Sequence, residues 1–151
     1  EEMEAKGLDV VTDVLRVGYV PPSEDVREKL QLQPGEGVLR VERLRGNDQV
    51  FPVVLLKSLI PAHYGIETDN DFSGSLYRLL ETVYRIDIEW AEEEIRAGKA
   101  TEEEAQLLGI KPGSSVLIME RLTYNRENRP LEFVRGVYRP EHHKFRIRLK
   151  R

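Results

Sequence analysis

The 151-residue sequence contains no cysteine. That excludes a disulfide framework and cysteine-ligated zinc or iron–sulfur centres, and it fits a reducing cytoplasm. No apolar run approaches a membrane span: the longest, Val50 to Leu56, stops at Lys57. The first residues, Glu-Glu-Met-Glu-Ala-Lys, offer no apolar core for a secretion signal. Excess positive charge is missing too, since the formal net charge is −4, which argues against a nucleic-acid-binding surface. There is no G-x-G-x-x-G, Walker-type loop or G-x-S-x-G elbow. The three histidines, His63, His142 and His143, have neither i, i+4 spacing nor cysteine partners, so no metal site is expected. What is present is 40% hydrophobic and 33% charged residues, enough apolar content for a packed core in a single domain.

The most informative feature is internal. Shifting the chain against itself by 78 residues aligns Leu30–Val53 with Leu108–Leu131, and ten of those 24 positions are identical. Average residue usage gives roughly one or two coincidences over such a stretch. Among the matches are Pro34/Pro112, Gly35/Gly113, Glu42/Glu120, Arg43/Arg121 and Pro52/Pro130. Two copies are too few for a solenoid, so the expectation is one domain of two similar halves on a shared core.

Each half reads as helix, turn and hairpin. The helices are expected at Val26–Leu30, capped by Ser23, and at Glu102–Leu108, where Thr101 and Glu104 form a capping box. Pro-Gly pairs turn the chain, and strands follow at 38–45 and 116–124, then 52–60 and 130–139. Val10–Val20 is β-branched and reads as an entering strand. Leu76, Leu79, Leu80 and Val83 recur at helical spacing, with Ser73 or Ser75 as the cap. A strand begins at Ile86, but Ala91–Ala97, rich in glutamate, suits helix or strand equally. Phe145, Ile147 and Leu149 alternate with basic residues, which predicts a closing strand. Hairpins with interspersed helices make an α+β domain with an antiparallel sheet.

Strand parity selects the candidate chemistry. Leu39, Val41, Arg43 and Arg45 share one face, as do Leu117, Met119, Arg121 and Thr123. Arginine on the core side of a strand requires an anion, so Arg43 and Arg45 together suit a carboxylate or phosphate. The alternative is internal pairing with Glu42, Glu120 or another carboxylate across the sheet, which is also the favoured role for Arg121. Ser73-Gly74-Ser75-Leu76-Tyr77 opens a helix, where hydroxyls and exposed N–H groups attract anions, although ordinary capping explains such serines as well. Glu132 and Tyr138 share parity on the last strand of the second half. Straight strand would hold them about 20 Å apart, so either the strand bends near Gly136 or only one of the two is in the site.

These residues carry a family resemblance. Arg43-Leu44-Arg45 before a turn and Pro52, Ser75-Leu76-Tyr77-x-x-Leu80, Ala105-x-x-Leu108-Gly109-Ile110-x-Pro112-Gly113, Glu120-Arg121-x-x-Tyr124, and Pro130-Leu131-Glu132-Phe133 through Val137-Tyr138-Arg139 stand in the order of the UTRA domain. The run from Val10 to Leu149 resembles this effector-binding half of HutC-type regulators in the GntR superfamily. The resemblance implies a six-stranded antiparallel sheet flanked by short helices, similar to chorismate lyase, with Ala91–Ala97 as strand. It implies a homodimeric, cytoplasmic sensor without cofactor that binds a small anionic effector, either a phosphorylated sugar or a carboxylate. Operator DNA would be met only through an N-terminal winged helix-turn-helix outside residues 1–151, residues 1–9 serving as linker and 10–151 as the sensor. The family's ligand residues fall on Arg43, Arg45, Ser75, Tyr77, Glu132 and Tyr138. Leu56 stands where the family usually has a glutamate, so a less polar or differently shaped ligand end is implied. The rival expectation is a small lyase on the same architecture, with an arginine holding substrate carboxylates and Glu132 as acid.

Overall fold

The structure, a computed structural model, describes residues 9–151, so the tail assigned to residues 1–9 lies, Asp9 apart, outside the described residues. The β-branched segment forms strand β1, Val10–Val20, and helix α1 follows at Glu24–Lys29. Ser23 caps α1 as expected, accepting from the Val26 amide, and the helix starts two residues before the expected Val26. Strands β2, Val38–Asn47, and β3, Val54–Pro61, form the first hairpin. Helix α2 spans Leu76–Thr82, strand β4 Ile88–Lys99, and helix α3 Glu102–Leu108. Strands β5, Ser115–Asn125, and β6, Pro130–Tyr138, form the second hairpin. Pairing is antiparallel throughout, in the order β1-β2-β3-β6-β5-β4. The two hairpins therefore meet back to back along β3 and β6.

Side-chain alternation divides the core between two faces. Leu39, Val41 and Ile60 pack under Leu76 and Leu80 of α2. On the other face Leu44, Leu55, Val116, Ile118 and Val137 pack under Ala105 and Leu108 of α3, while α1 seats Val26 and Leu30 against Val38 and Phe133. The capping box of α3 is present, with Thr101 and Glu104 bonding each other's backbone. Gly35 and Gly113, each second in its Pro-Gly turn, adopt φ of 79°, a left-handed conformation that a β-carbon would disfavour.

Several boundaries differ from expectation. The ladder of β3 starts at Val54 rather than Pro52, because Pro52 has no N–H to donate and the first bond comes from Val53 to the Arg45 carbonyl. Ala91–Ala97 lies in β4, where pairing with β5 from Ala91↔Thr123 to Ala97↔Leu117 overrides the helical preference of glutamate. The closing strand predicted from Phe145, Ile147 and Leu149 does not form. Residues 143–151 have no regular structure, and Ile147 and Leu149 are 76% and 87% exposed. Alternation makes a strand only where a free sheet edge is paired, and this segment leaves β6, an interior strand.

Candidate functional site

The face of the sheet below α2 is not filled by its side chains, and the gap holds the polar residues. Across the sheet, register puts Arg45 opposite Val54, Val54 opposite Tyr138, and Tyr138 opposite Leu117. The next row runs Arg43, Leu56, Gly136 and Met119, and the third runs Val41, Ser58, Val134 and Arg121. These rows floor a cavity of about 620 Å³, its open mouth included, with Leu76 and Tyr77 of α2 above and His143 at one end.

Arg43 and Arg45 of β2 are each 2% exposed, although arginine rarely tolerates burial without partners. Arg43 Nη1 donates to the carbonyls of Phe72 and Gly74, at 3.4 and 3.2 Å. Arg45 Nη2 donates to the Gly74 carbonyl at 2.8 Å and its Nε to Thr12 Oγ1 at 3.0 Å. Burial lowers the proton affinity of each guanidinium, offset in part by Glu132 for Arg43 and by Tyr138 for Arg45. The carboxylates weighed as internal partners are engaged elsewhere. Glu42, on the opposite face, meets Arg16 at 2.5 Å, Arg40 at 3.6 Å and Lys57 at 3.9 Å, and Glu120 meets Arg96 at 2.9 Å.

Arg121 follows the structural expectation in part: it bonds Glu93 at 2.6 Å, yet it also lines the cavity. Burial would lower its proton affinity, but Tyr77 and Glu93 outweigh that and raise it. The Tyr77 hydroxyl is 2.8 Å from Thr123 Oγ1, and burial pushes its pKa up to about 12, so it is neutral at physiological pH.

Glu132 is 2% exposed. Burial raises its carboxyl above the ordinary range, and the Ser58 and Tyr77 hydroxyls with the Arg43 and Arg121 charges offset only part of that. Three polar atoms of the cavity residues are buried without a hydrogen-bond partner: Arg43 Nε, Ser58 Oγ and Glu132 Oε1. Buried polar groups are ordinarily satisfied, so three such atoms in side chains that line one cavity are unusual.

Glu132 and Tyr138 line the same cavity despite the separation that straight strand implies. No bulge lies at Gly136, since β6 pairs without a register shift there, the shift lying at Thr123/Tyr124. Instead the Tyr138 ring leans back over Gly136, where a β-carbon would come within 2.9 Å of it. Glycine is required there for that close approach. The ring is stacked on His143 at 4.4 Å between centroids.

Thus Arg43, Arg45, Tyr77, Glu132 and Tyr138 are gathered around one cavity, and Ser75 is not among its lining residues. The Ser75 hydroxyl caps α2 by accepting from the Arg78 amide at 3.3 Å, and Ser73 bonds Asp71. It is the Gly74 carbonyl, not a serine hydroxyl, that faces the arginines. Residue reasoning passed over Ser58 and His143. A hydroxyl that shares strand parity with Val54, Leu56 and Ile60 was a usable signal for the first. Nothing local marked the second, which depends on the chain folding back after β6.

Among the described residues no cluster of side chains is arranged to hold a metal ion, and no helix is long and apolar enough to cross a membrane. The UTRA domain family model matches residues 5–144. The chain is 28% identical to the HTH-type transcriptional repressor NagR of Bacillus subtilis over 147 residues, covering 96% of this chain and 60% of that protein. It is 28% identical to a solved GntR-family transcriptional regulator from Enterococcus faecalis, with a TM-score of 0.83 over 91% of this chain and 99% of that one. The effector domain of PhnF from Mycobacterium smegmatis shares the fold, with a TM-score of 0.90 at 23% identity over 98% of this chain and 91% of that one. The chain spans about 60% of the length of the curated relatives it matches. Those relatives are named as transcriptional regulators, which sets aside the lyase alternative. The chain belongs to the UTRA domain family, as the effector-binding domain of a GntR-family transcriptional regulator.

Proposed function

We propose that this domain senses a small anionic metabolite, a carboxylate or phosphorylated sugar, and modulates operator binding by a winged helix-turn-helix joined to it. The observation that carries this reading is the cavity itself, where the buried Arg43 and Arg45 stand with Tyr77, Glu132 and Tyr138 in one lining. Arg43 and Arg45 supply the charge, Glu132 and Tyr77 the hydrogen-bonding groups, and Tyr138 the aromatic wall. Ser75 acts through α2, holding the Gly74 carbonyl against the arginines. The working unit is a homodimer of HutC type in the cytoplasm, in which ligand occupancy changes the relative placement of two DNA-reading heads. A ligand shifts such an equilibrium only by its differential affinity for the two arrangements.

The test is a thermal-shift screen against sugar phosphates, phosphonates and small carboxylic acids, with wild type and Arg43→Lys. Lysine keeps the charge but loses the planar fork that holds two carbonyls and an anion together. The expected result is a hit on wild type that the variant loses while its circular dichroism is unchanged. Identical shifts in the two proteins would refute the clamp.

A further inference from the structure

Strand β4 forms one edge of the sheet, and its residues 89–97 are all exposed and belong to no core cluster. The other edge differs: Val14, Leu15 and Val17 of β1 pack into the cores on both faces. A twelve-residue edge strand presents a row of backbone N–H and C=O groups that a further strand can pair with. The two faces of β4 are unlike. Register places Ala91, Ile95 and Ala97 beside Thr123, Met119 and Leu117 on the cavity side, and Glu92 and Glu94 beside Leu122 and Glu120 on the other. Glu93 is paired with Arg121, and Arg96 with Glu120. Glu92 and Glu94 have no ion-pair partner among the described residues. Three consecutive glutamates repel a second β4, so this edge favours a basic strand.

Residues 146–151, Arg-Ile-Arg-Leu-Lys-Arg, have that chemistry, with four positive charges in a chain whose net charge is −4. In extended backbone Arg146, Arg148 and Lys150 share one face, and Ile147 and Leu149 the other. Ile147 and Leu149 are the two most exposed large apolar side chains among the described residues. Among those residues the segment makes no hydrogen bond or ion pair. Its own β4 is out of reach. Phe145 is held against Tyr138 of β6 and against His143, at 5.0 and 4.6 Å between ring centroids. The position beyond β4 is three strand spacings from β6, about 14 Å. Crossing that distance takes about four of the six residues and leaves about two to pair. A second copy imposes no such limit.

Resting on the homodimer of the reading above, we propose that residues 146–151 of one copy add as a strand to the β4 edge of the other, and reciprocally. Ile147 and Leu149 then lie beside Ala91, Ile95 and Ala97, while Arg146 and Arg148 face Glu92 and Glu94. Main-chain hydrogen bonds supply affinity in such strand addition, and alternate side chains supply specificity. The partner is a second copy of this chain, selected by an acidic edge meeting a basic segment. The alternation of Ile147 and Leu149 with basic residues is thus completed between chains, where no edge of the same chain is within reach.

The test is sedimentation equilibrium of the 151-residue chain, with circular dichroism reporting the fold. Wild type is compared with Arg146→Glu/Arg148→Glu, with Glu92→Lys/Glu94→Lys, and with the variant that combines all four changes. The expectation is a wild-type dimer whose association each charge reversal weakens by about tenfold or more, and which the combined variant restores. Ile147→Pro/Arg148→Pro should also leave a monomer, because successive amides point to opposite sides of a strand and one of the two lost N–H groups belongs to the new ladder. These changes in 146–151 break no hydrogen bond or ion pair within one chain, so they serve if the lysines in β4 prevent folding. A dimer that both variants in 146–151 leave intact overturns the strand exchange while the homodimer stands. Loss of association in both reversals with no recovery in the combined variant overturns the pairing with Glu92 and Glu94. A wild type that is monomeric at every concentration overturns the exchange and the homodimer together, and leaves effector sensing to the ligand screen.

Discussion

Glu132 shows how a single buried group ties stability to ligand chemistry. Its carboxyl holds a proton more tightly in the folded protein than in the unfolded chain, because burial disfavours the charged form. A group raised in this way favours the fold below its unfolded pKa, near pH 4.3, and that contribution fades as pH climbs through the raised value. Urea denaturation from pH 4.5 upward should therefore show Glu132→Gln gaining on wild type as pH rises. A constant difference across that range would mean that Glu132 titrates as an exposed glutamate does. Arg43 is the counterpart. Arg43→Ala strips the donor from the buried Phe72 carbonyl and one of the two from the Gly74 carbonyl, so a loss of about 1–3 kcal/mol is expected in chemical denaturation.

Among the elements, α2 and α3 provide a controlled comparison, since both are seven-residue helices capped by a hydroxyl. Ser75→Ala and Thr101→Ala should each cost about 1 kcal/mol of stability. Only the first should weaken ligand binding, because α2 roofs the cavity with Leu76 and Tyr77 and follows the loop whose Gly74 carbonyl meets both arginines, whereas α3 packs on the far face. Equal effects on ligand affinity, measured by calorimetry, would show that α2 holds the site no more directly than α3 does. Leu80→Ala removes a fully buried side chain that joins α2 to Leu39 and Val41, and should cost about 2–5 kcal/mol.

At the scale of the whole molecule, binding is read as stability. A ligand at a hundred times its dissociation constant stabilises the folded state by about 2.7 kcal/mol. In a domain of this length that corresponds to a rise in melting temperature on the order of 5–10 °C. A differential scanning measurement with the identified effector should find that rise in wild type and lose most of it in Arg43→Lys. Joined to its DNA-reading domain, the protein should change operator affinity over the same range of effector concentration. Thermal stabilisation with no change in operator affinity would separate binding from regulation.

The amino-acid pattern by itself determined β1, the hydroxyl caps Ser23 and Thr101, the two Pro-Gly turns and the shared face of Arg43 and Arg45, because each depends on neighbours a few residues away. Of the six ligand residues inferred from family and parity, Arg43, Arg45, Glu132 and Tyr138 line one cavity for the same reason, since alternation along a strand survives folding unchanged, and Tyr77 joins them from α2. Other features waited on the tertiary structure. Ala91–Ala97 became strand only because β5 lies beside it, and Phe145–Leu149 stayed irregular because no edge was there to pair with. The role of Ser75 was decided by a carbonyl one residue before it, and the orphan state of Ser58 by everything that fails to reach it. Local preference sets what a segment can become, but whether a buried polar atom finds a partner depends on chains distant in sequence, and the cavity is defined by those missing partners.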